Sequence, residues 1–115
     1  MKEAYIKQEA DRIPFVLDEN VEVGDIIKFG SEMVAIAGTS GLAGETITVY
    51  ISGVVAQGPA KTEDEIKVGD MLFWNADDRV LTTDNGGDTP NNPAGHAITV
   101  KAQDVAGVVE FLLNK

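Results

Sequence analysis

Apolar and polar residues alternate along this chain with a period of two, and turn signals interrupt them every eight to twelve positions. The cleanest case is Thr46–Ser52: Ile47, Val49 and Ile51 lie on one face, and Thr46, Thr48, Tyr50 and Ser52 on the other. That is the pattern of a strand with one buried face. Ile13–Leu17 reads as a first strand, with Pro14 placing it at a sheet edge because proline cannot donate to a ladder. Ile26–Phe29, Met33–Ala37, Met71–Trp74, Arg79–Thr83, Ala97–Val100 and Val108–Leu113 are further extended runs. Gly53–Ala56 reads as a continuation of the Thr46–Ser52 strand through a bulge at the glycine. Thr62-Glu63-Asp64-Glu65 has the form of a capping box, but Gly69 leaves room for one or two helical turns at most.

A phrase recurs. Val21-Glu22-Val23-Gly24-Asp25-Ile26 returns as Ile66-Lys67-Val68-Gly69-Asp70-Met71. Ala43-Gly44-Glu45 before one strand also matches Ala106-Gly107-Val108 before another. The pattern predicts an all-β, single-domain small barrel or sandwich over residues 11–115, built from two related halves with short hairpins and at most one short helix. Gly24 and Gly69 are read as turn glycines at positive φ, and Asp25 and Asp70 as turn residues that satisfy local backbone donors.

Composition narrows the class. With 43% hydrophobic and 24% charged residues, 115 residues make one globular domain. No apolar run is long enough for a membrane-crossing helix, and residues 1–11 lack the apolar core of a signal peptide. The expectation is a protein made and kept in the cytosol, or assembled there into something larger. Nineteen acidic residues against nine basic ones give a formal charge of -10. Nucleic-acid binding requires clustered cations, and these nine are scattered, so no nucleic acid is expected as a partner.

Catalytic equipment is sparse. His96 is the single histidine, and there is no cysteine. Neither a nucleophile elbow nor a P-loop is present. Asp84–Asp88 has some calcium-loop residues but lacks the terminal glutamate, and the stretch Asp84–Pro93 reads as a surface loop. No catalytic residue, metal or cofactor is expected. Phe73 and Trp74 are neighbours on a strand and point to opposite faces; one is core, and the other is a candidate contact or sugar-stacking surface.

The final strand carries apolar residues on both faces: Val109, Phe111 and Leu113 on one, Val108 and Leu112 on the other. Such a strand is either central or covered by another subunit. Tyr50 likewise stands on an otherwise Thr/Ser face. Residues 1–10 are mostly polar around Tyr5 and Ile6, and burying two side chains does not offset the entropy of ordering ten residues. A mobile arm is expected, with Tyr5 and Ile6 as anchors that order by pairing with a neighbouring sheet edge.

Taken in order, Tyr5-Ile6, Val23–Ile27, Ala43–Val49, Gly53-Val54, Val68–Asn75, Gly95–Ala97 and the last hydrophobic strand resemble the tailed-phage capsid cement, or head decoration, proteins. The resemblance runs from about Tyr5 to Leu113. The chain departs from that pattern in the longer Asp84–Pro93 loop and in Gln103-Asp104 at the final turn. The resemblance implies a non-enzymatic protein that binds the outer surface of the phage head at capsomer junctions. It would meet the major capsid protein there, commonly as a homotrimer, and stabilise the shell against DNA pressure. The candidate contacts are then Tyr5, Ile6, Tyr50, Trp74, Val108 and Leu112. The alternatives are a carbohydrate-binding β-domain using Trp74 and Tyr50, and an accessory β-domain of another cytosolic or phage assembly.

Overall fold

The computed structural model describes residues 11–115; the expected arm at residues 1–10, with Tyr5 and Ile6, lies outside the described residues. The described residues contain no helix. Their strands are β1 (Arg12–Val16), β2 (Ile26–Phe29), β3 (Met33–Ala37), β4 (Thr46–Tyr50), β5 (Val55–Ala60), β6 (Met71–Asn75), β7 (Val80–Thr82), β8 (Asn92–Ala97) and β9 (Gly107–Leu113). Four of them form an open sheet in the order β1-β4-β3-β2, and five close into a barrel in the order β5-β7-β6-β8-β9. Pro14 sits on the edge strand β1, where its missing donor costs nothing.

The two halves share one plan. In the first, a Greek-key order places β1 beside β4 and runs on through β3 to β2; in the second, β5 lies beside β9, then β8, then β6. The second half has one extra strand, β7, which pairs with β6 and closes the barrel on β5 at Ala60 and Leu81. An isolated bridge crosses each half, Val21 to Gly41 and Ile66 to Lys101.

One turn recurs three times. Gly24, Gly44 and Gly69 have φ of 90°, 89° and 93°, as a type II turn requires at its third position. The amides of Asp25, Glu45 and Asp70 donate to the carbonyls of Glu22, Leu42 and Lys67. Each carboxylate then accepts from the amide three residues back: Glu22 on Asp25, Leu42 on Glu45 and Lys67 on Asp70. The fourth copy lies at Ala102–Val105, where Asp104 takes the positive φ of 59°. The structural counterpart of Ala43-Gly44 is therefore Gln103-Asp104, not Ala106-Gly107. This copy has Val105 where the others have a carboxylate. The buried Lys101 ammonium closes it instead, donating to the carbonyls of Thr62, Ala102 and Val105 at 2.9, 2.9 and 2.8 Å.

Two apolar clusters follow from the strand alternation. Leu72, Trp74, Leu81, Val109, Phe111 and Leu113 fill the barrel together with Ile26 and Val34 from the open sheet. Leu17, Val21, Ala35, Ala37, Ile47 and Val49 form a smaller cluster on the concave face of that sheet. Asparagines join the halves. The Asn114 side chain accepts from the Val34 amide and donates to the carbonyls of Val34 and Ile51, and Asn92 donates to Gly30 and Met33.

Three local expectations are corrected. The Thr46 strand ends at Tyr50; at Gly53, with φ of 75° and the Asp11 carboxylate packed against it, the chain crosses into the barrel. Residues 62–65 form a turn, not a helix, because Asp64 turns its carboxylate to the Thr82 hydroxyl and the Thr83 amide. The strand expected at Ala97–Val100 lies earlier, at Asn92–Ala97, which shortens the preceding loop. Its inward positions, Asn92, Ala94 and Ala97, and Gly95 are small or polar, so its hydrophobic signal is weak.

Lys101→Met keeps the apolar stem but leaves three carbonyls without their donor, and is expected to cost about 2–3 kcal/mol, read as a lower urea midpoint at unchanged m-value. Asp64 gives a pH-dependent test. Burial pushes its carboxyl up, but hydrogen bonds from Thr82 and Thr83 and the nearby Lys61 outweigh this and hold it below its ordinary value of 3.8. A depressed carboxylate stabilises the fold above the unfolded value and loses that contribution as pH falls through the folded one. The Tm gap between the native chain and Asp64→Asn is therefore expected to be full near neutrality and to shrink below about pH 4.

Candidate functional surface

β9 runs between β5 and β8, pairing with β5 over Gly107–Leu112 and with β8 at Phe111–Leu113. Its inward residues Val109, Phe111 and Leu113 are at most 1% exposed, as the alternation requires. The outward residues are Val108, Glu110 and Leu112. On β5, Val55, Gln57 and Pro59 point out beside them, with Ala56, Gly58 and Ala60 turned inward. Register pairs Val55 with Leu112, Gln57 with Glu110 and Pro59 with Val108. On the other side His96, also exposed, lies opposite Leu112. The outcome is an apolar stripe interrupted by one polar row: Val55 is 54% exposed, Val108 52% and Leu112 38%. No described element of this chain covers it.

Two hollows continue this stripe. One, of about 250 Å³, is lined by Gly53, Val54, Val55, Leu112, Leu113 and Lys115. The other, of about 300 Å³, is lined by Ile26, Ile36, Tyr50, Val54 and Val55 among others, and lies between the open sheet and the barrel. Because both hollows share Val54 and Val55, Tyr50 is contiguous with the stripe even though it belongs to the other sheet. Tyr50 is half-buried and packs against the barrel cluster. Tyr50, Val108 and Leu112, three residues singled out in the sequence, thus lie on one connected surface.

Trp74 does not belong to it. It is 3% exposed and packs inside the barrel, because the alternation of β6 turns Leu72 and Trp74 inward and leaves Met71, Phe73 and Asn75 half-buried. Arg79 lies over its ring at 5.3 Å from the centroid, a cation–π contact. Trp74 is a core residue that borders the cleft beside Arg79 and not the exposed stripe.

Val55 and Pro59 also face out on this surface and are not among the candidate contacts of the sequence, where Gly53–Ala56 reads as a continuation of the preceding strand. A signal existed in the alternation of Val55, Gln57 and Pro59 with Ala56, Gly58 and Ala60. The small inward set makes room for Leu81: a Cβ on Gly58 would lie 3.0 Å from its Cδ1.

The polar features have local tasks. In the Asp84–Asn91 loop, the Asp84 and Asn85 side chains accept from the amides of Gly86 and Gly87. Among the described residues no group of three or more His, Cys, Asp or Glu side chains is placed to hold a metal ion. The ion pair found among them is Lys67 with Glu65 at 3.7 Å, both exposed; such a pair adds little stability. The acidic charge is therefore spread over the surface as a field.

Compared with known proteins, the chain matches a family model described as phage cement protein over residues 7–113. No curated protein and no solved structure matches it.

Proposed function

Because the chain belongs to the phage cement protein family, with a capsid cement role and a place on the phage capsid, we propose that it binds the outer surface of the head at capsomer junctions. There it stabilises the shell against the pressure of packaged DNA as a non-enzymatic component. The observation that carries this reading is the apolar stripe of Val55 on β5 with Val108 and Leu112 on β9, exposed side by side on the outside of the barrel. A contiguous exposed apolar surface that no described element covers supports a contact with another molecule. Tyr50 extends that contact into the hollow between the sheets.

The proposed partners are the major capsid protein and further copies of this chain, assembled as a homotrimer. A trimer that touches several capsomers turns weak single contacts into tight attachment by multivalency. Tyr5 and Ile6 act as anchors in the assembled state. The acidic surface favours a soluble subunit during assembly in the host cytoplasm and gains nothing from DNA. Cement action needs a rigid body, and the barrel supplies one, with Phe111, Leu72, Leu81 and Leu113 fully buried.

The direct test is co-sedimentation of the purified protein with expanded heads stripped of decoration. Binding is expected to saturate at a fixed ratio to the major capsid protein and to delay heat-induced DNA release; absent or unsaturable binding refutes the reading. The contact surface has its own test. Val108→Glu combined with Leu112→Glu changes side chains that face water, so folding stability is expected to move by no more than about 1 kcal/mol. Head affinity should fall by at least about tenfold, equivalent to about 1.4 kcal/mol. Unchanged binding would show that the stripe faces away from the shell and from neighbouring copies.

A further inference from the structure

The two halves differ by one strand, and the half that lacks it shows where that strand would go. In the second half β7 lies between β6 and β5 and puts Leu81, 0% exposed, into the core. In the first half the corresponding place lies beside β2, between the two edges of the open sheet, and no described strand occupies it.

Backbone direction shows that this edge is ready to pair. The Ala37 amide donates to the Asp25 carbonyl across the β2–β3 hairpin. Val34, opposite Lys28, turns both its amide and its carbonyl to Asn114. In an antiparallel ladder that alternation points the backbone groups of Ile26 and Lys28 away from β3, toward the vacant side.

The packing is incomplete at the same place. Ile13, Phe15, Ile27 and Phe29, packed against the smaller cluster, are only half-buried, whereas the inward Leu72, Trp74, Leu81, Phe111 and Leu113 of the barrel are at most 3% exposed. The Phe15 and Phe29 rings meet at 5.5 Å between β1 and β2. A cleft of about 250 Å³ lies there, lined by Phe15, Leu17, Ile26 and Lys28 of the first half and by Trp74 and Arg79 of the barrel, among others.

We propose that this vacant edge of β2 receives residues 1–10 of a second copy of the chain, with Ile6 entering the cleft as Leu81 enters the barrel and Tyr5 on the opposite face. The inference rests on the reading that copies sit side by side on the head. Three arguments select this occupant. The strand β7 runs antiparallel to β6 and parallel to β5, so its counterpart would run parallel to β1. The chain's own Tyr5-Ile6 cannot do so, because parallel neighbours need a crossover of roughly a dozen residues and only Lys7 to Asp11 separate Ile6 from β1. Charge also fits: residues 1–10 hold Lys2 and Lys7 against Glu3 and Glu9, so the net -10 of the chain resides entirely on residues 11–115. A neutral segment approaches that acidic body without repulsion. Finally, Ile6 supplies a large apolar side chain for an incompletely covered core, with Tyr5 on the other face of the strand. Head-to-tail exchange of this kind closes into a ring when the rotation allows it.

The chain has no cysteine, so the test is clean. One preparation carries Lys7→Cys and another Lys28→Cys, the latter at an exposed position on the vacant edge. They are mixed, alone and on stripped heads, and treated with a short bis-maleimide crosslinker. The expected result is a shift to the mass of a two-chain product in the mixture, absent from either preparation alone and lost when Tyr5→Ala and Ile6→Ala are added to the first. A third preparation carries both substitutions and is diluted into unsubstituted chain; a link found only within its single chains overturns the proposal in favour of the chain's own segment. A link from position 28 to the capsid protein overturns it in favour of a capsid strand. No link under either condition also overturns it. Saturable head binding is scored on the same samples, so a missing link with intact binding sinks strand exchange and leaves the cement role standing.

Discussion

The fold depends on two asparagine side chains that stand in for strands. Asn114 takes both backbone groups of Val34 and the carbonyl of Ile51, and Asn92 takes the carbonyls of Gly30 and Met33. These contacts fasten β3 to the barrel where β4 pairs with it only at Ile36 and Ala37. Each buried amide makes the bonds its geometry allows, so no polar group is stranded at the junction. Because the halves are joined edge-on through β3, the outer faces of β5 and β9 stay uncovered, and the far edge of β2 stays open. Both surfaces to which function is assigned here follow from that one docking.

The repeated turn explains how so small a chain reaches this arrangement without disulfides. A glycine at positive φ and a carboxylate three residues past the turn's start close the loop twice, once through the backbone and once through the side chain. Three copies use that solution. The fourth, at Ala102–Val105, lacks the carboxylate and recruits a lysine, whose ammonium is held by three carbonyls. The two solutions are electrostatic opposites. A carboxylate collects amides that point inward, and an ammonium collects carbonyls, so the sign of the closing group follows the direction in which the unpaired backbone groups point. Burying an ammonium this way is tolerable because each of its three donors is used.

Symmetry between the halves is imperfect, and the imperfection matters more than the symmetry. A strand added to one half gives a closed barrel with a dry core. Its absence from the other leaves a curled sheet whose large side chains stay partly wet. The chain thus joins a closed body to an open one, and its net charge of -10 surrounds both with a field that repels like-charged molecules.

Local physics made much of this legible in the residues alone. Alternation at Thr46–Tyr50, Met33–Ala37 and Val108–Leu113 located strands, and the Gly-Asp repeat revealed two related halves, because periodicity and turn chemistry act over a few neighbouring residues. The double apolar character of β9 marked Val108 and Leu112 before any contact was visible. Other features were hidden because they depend on residues distant in sequence. β8 is made of Asn, Pro, Ala, Gly and His, and becomes a strand only because β6 and β9 flank it. Whether Phe73 or Trp74 turned inward was undecidable from alternation, which separates the two faces but does not say which one meets the core. The Asp64 turn resembled a helix start until Thr82 and Thr83, eighteen and nineteen residues away, took its carboxylate. Neighbours along the chain set seven of the nine strands, the Gly-Asp turns and the repeat, so these were legible in the residues; β5 and β8 were not. Which faces are buried, which edge is left unpaired and where the exposed apolar side chains converge belong to the tertiary structure, because they follow from how two sheets dock.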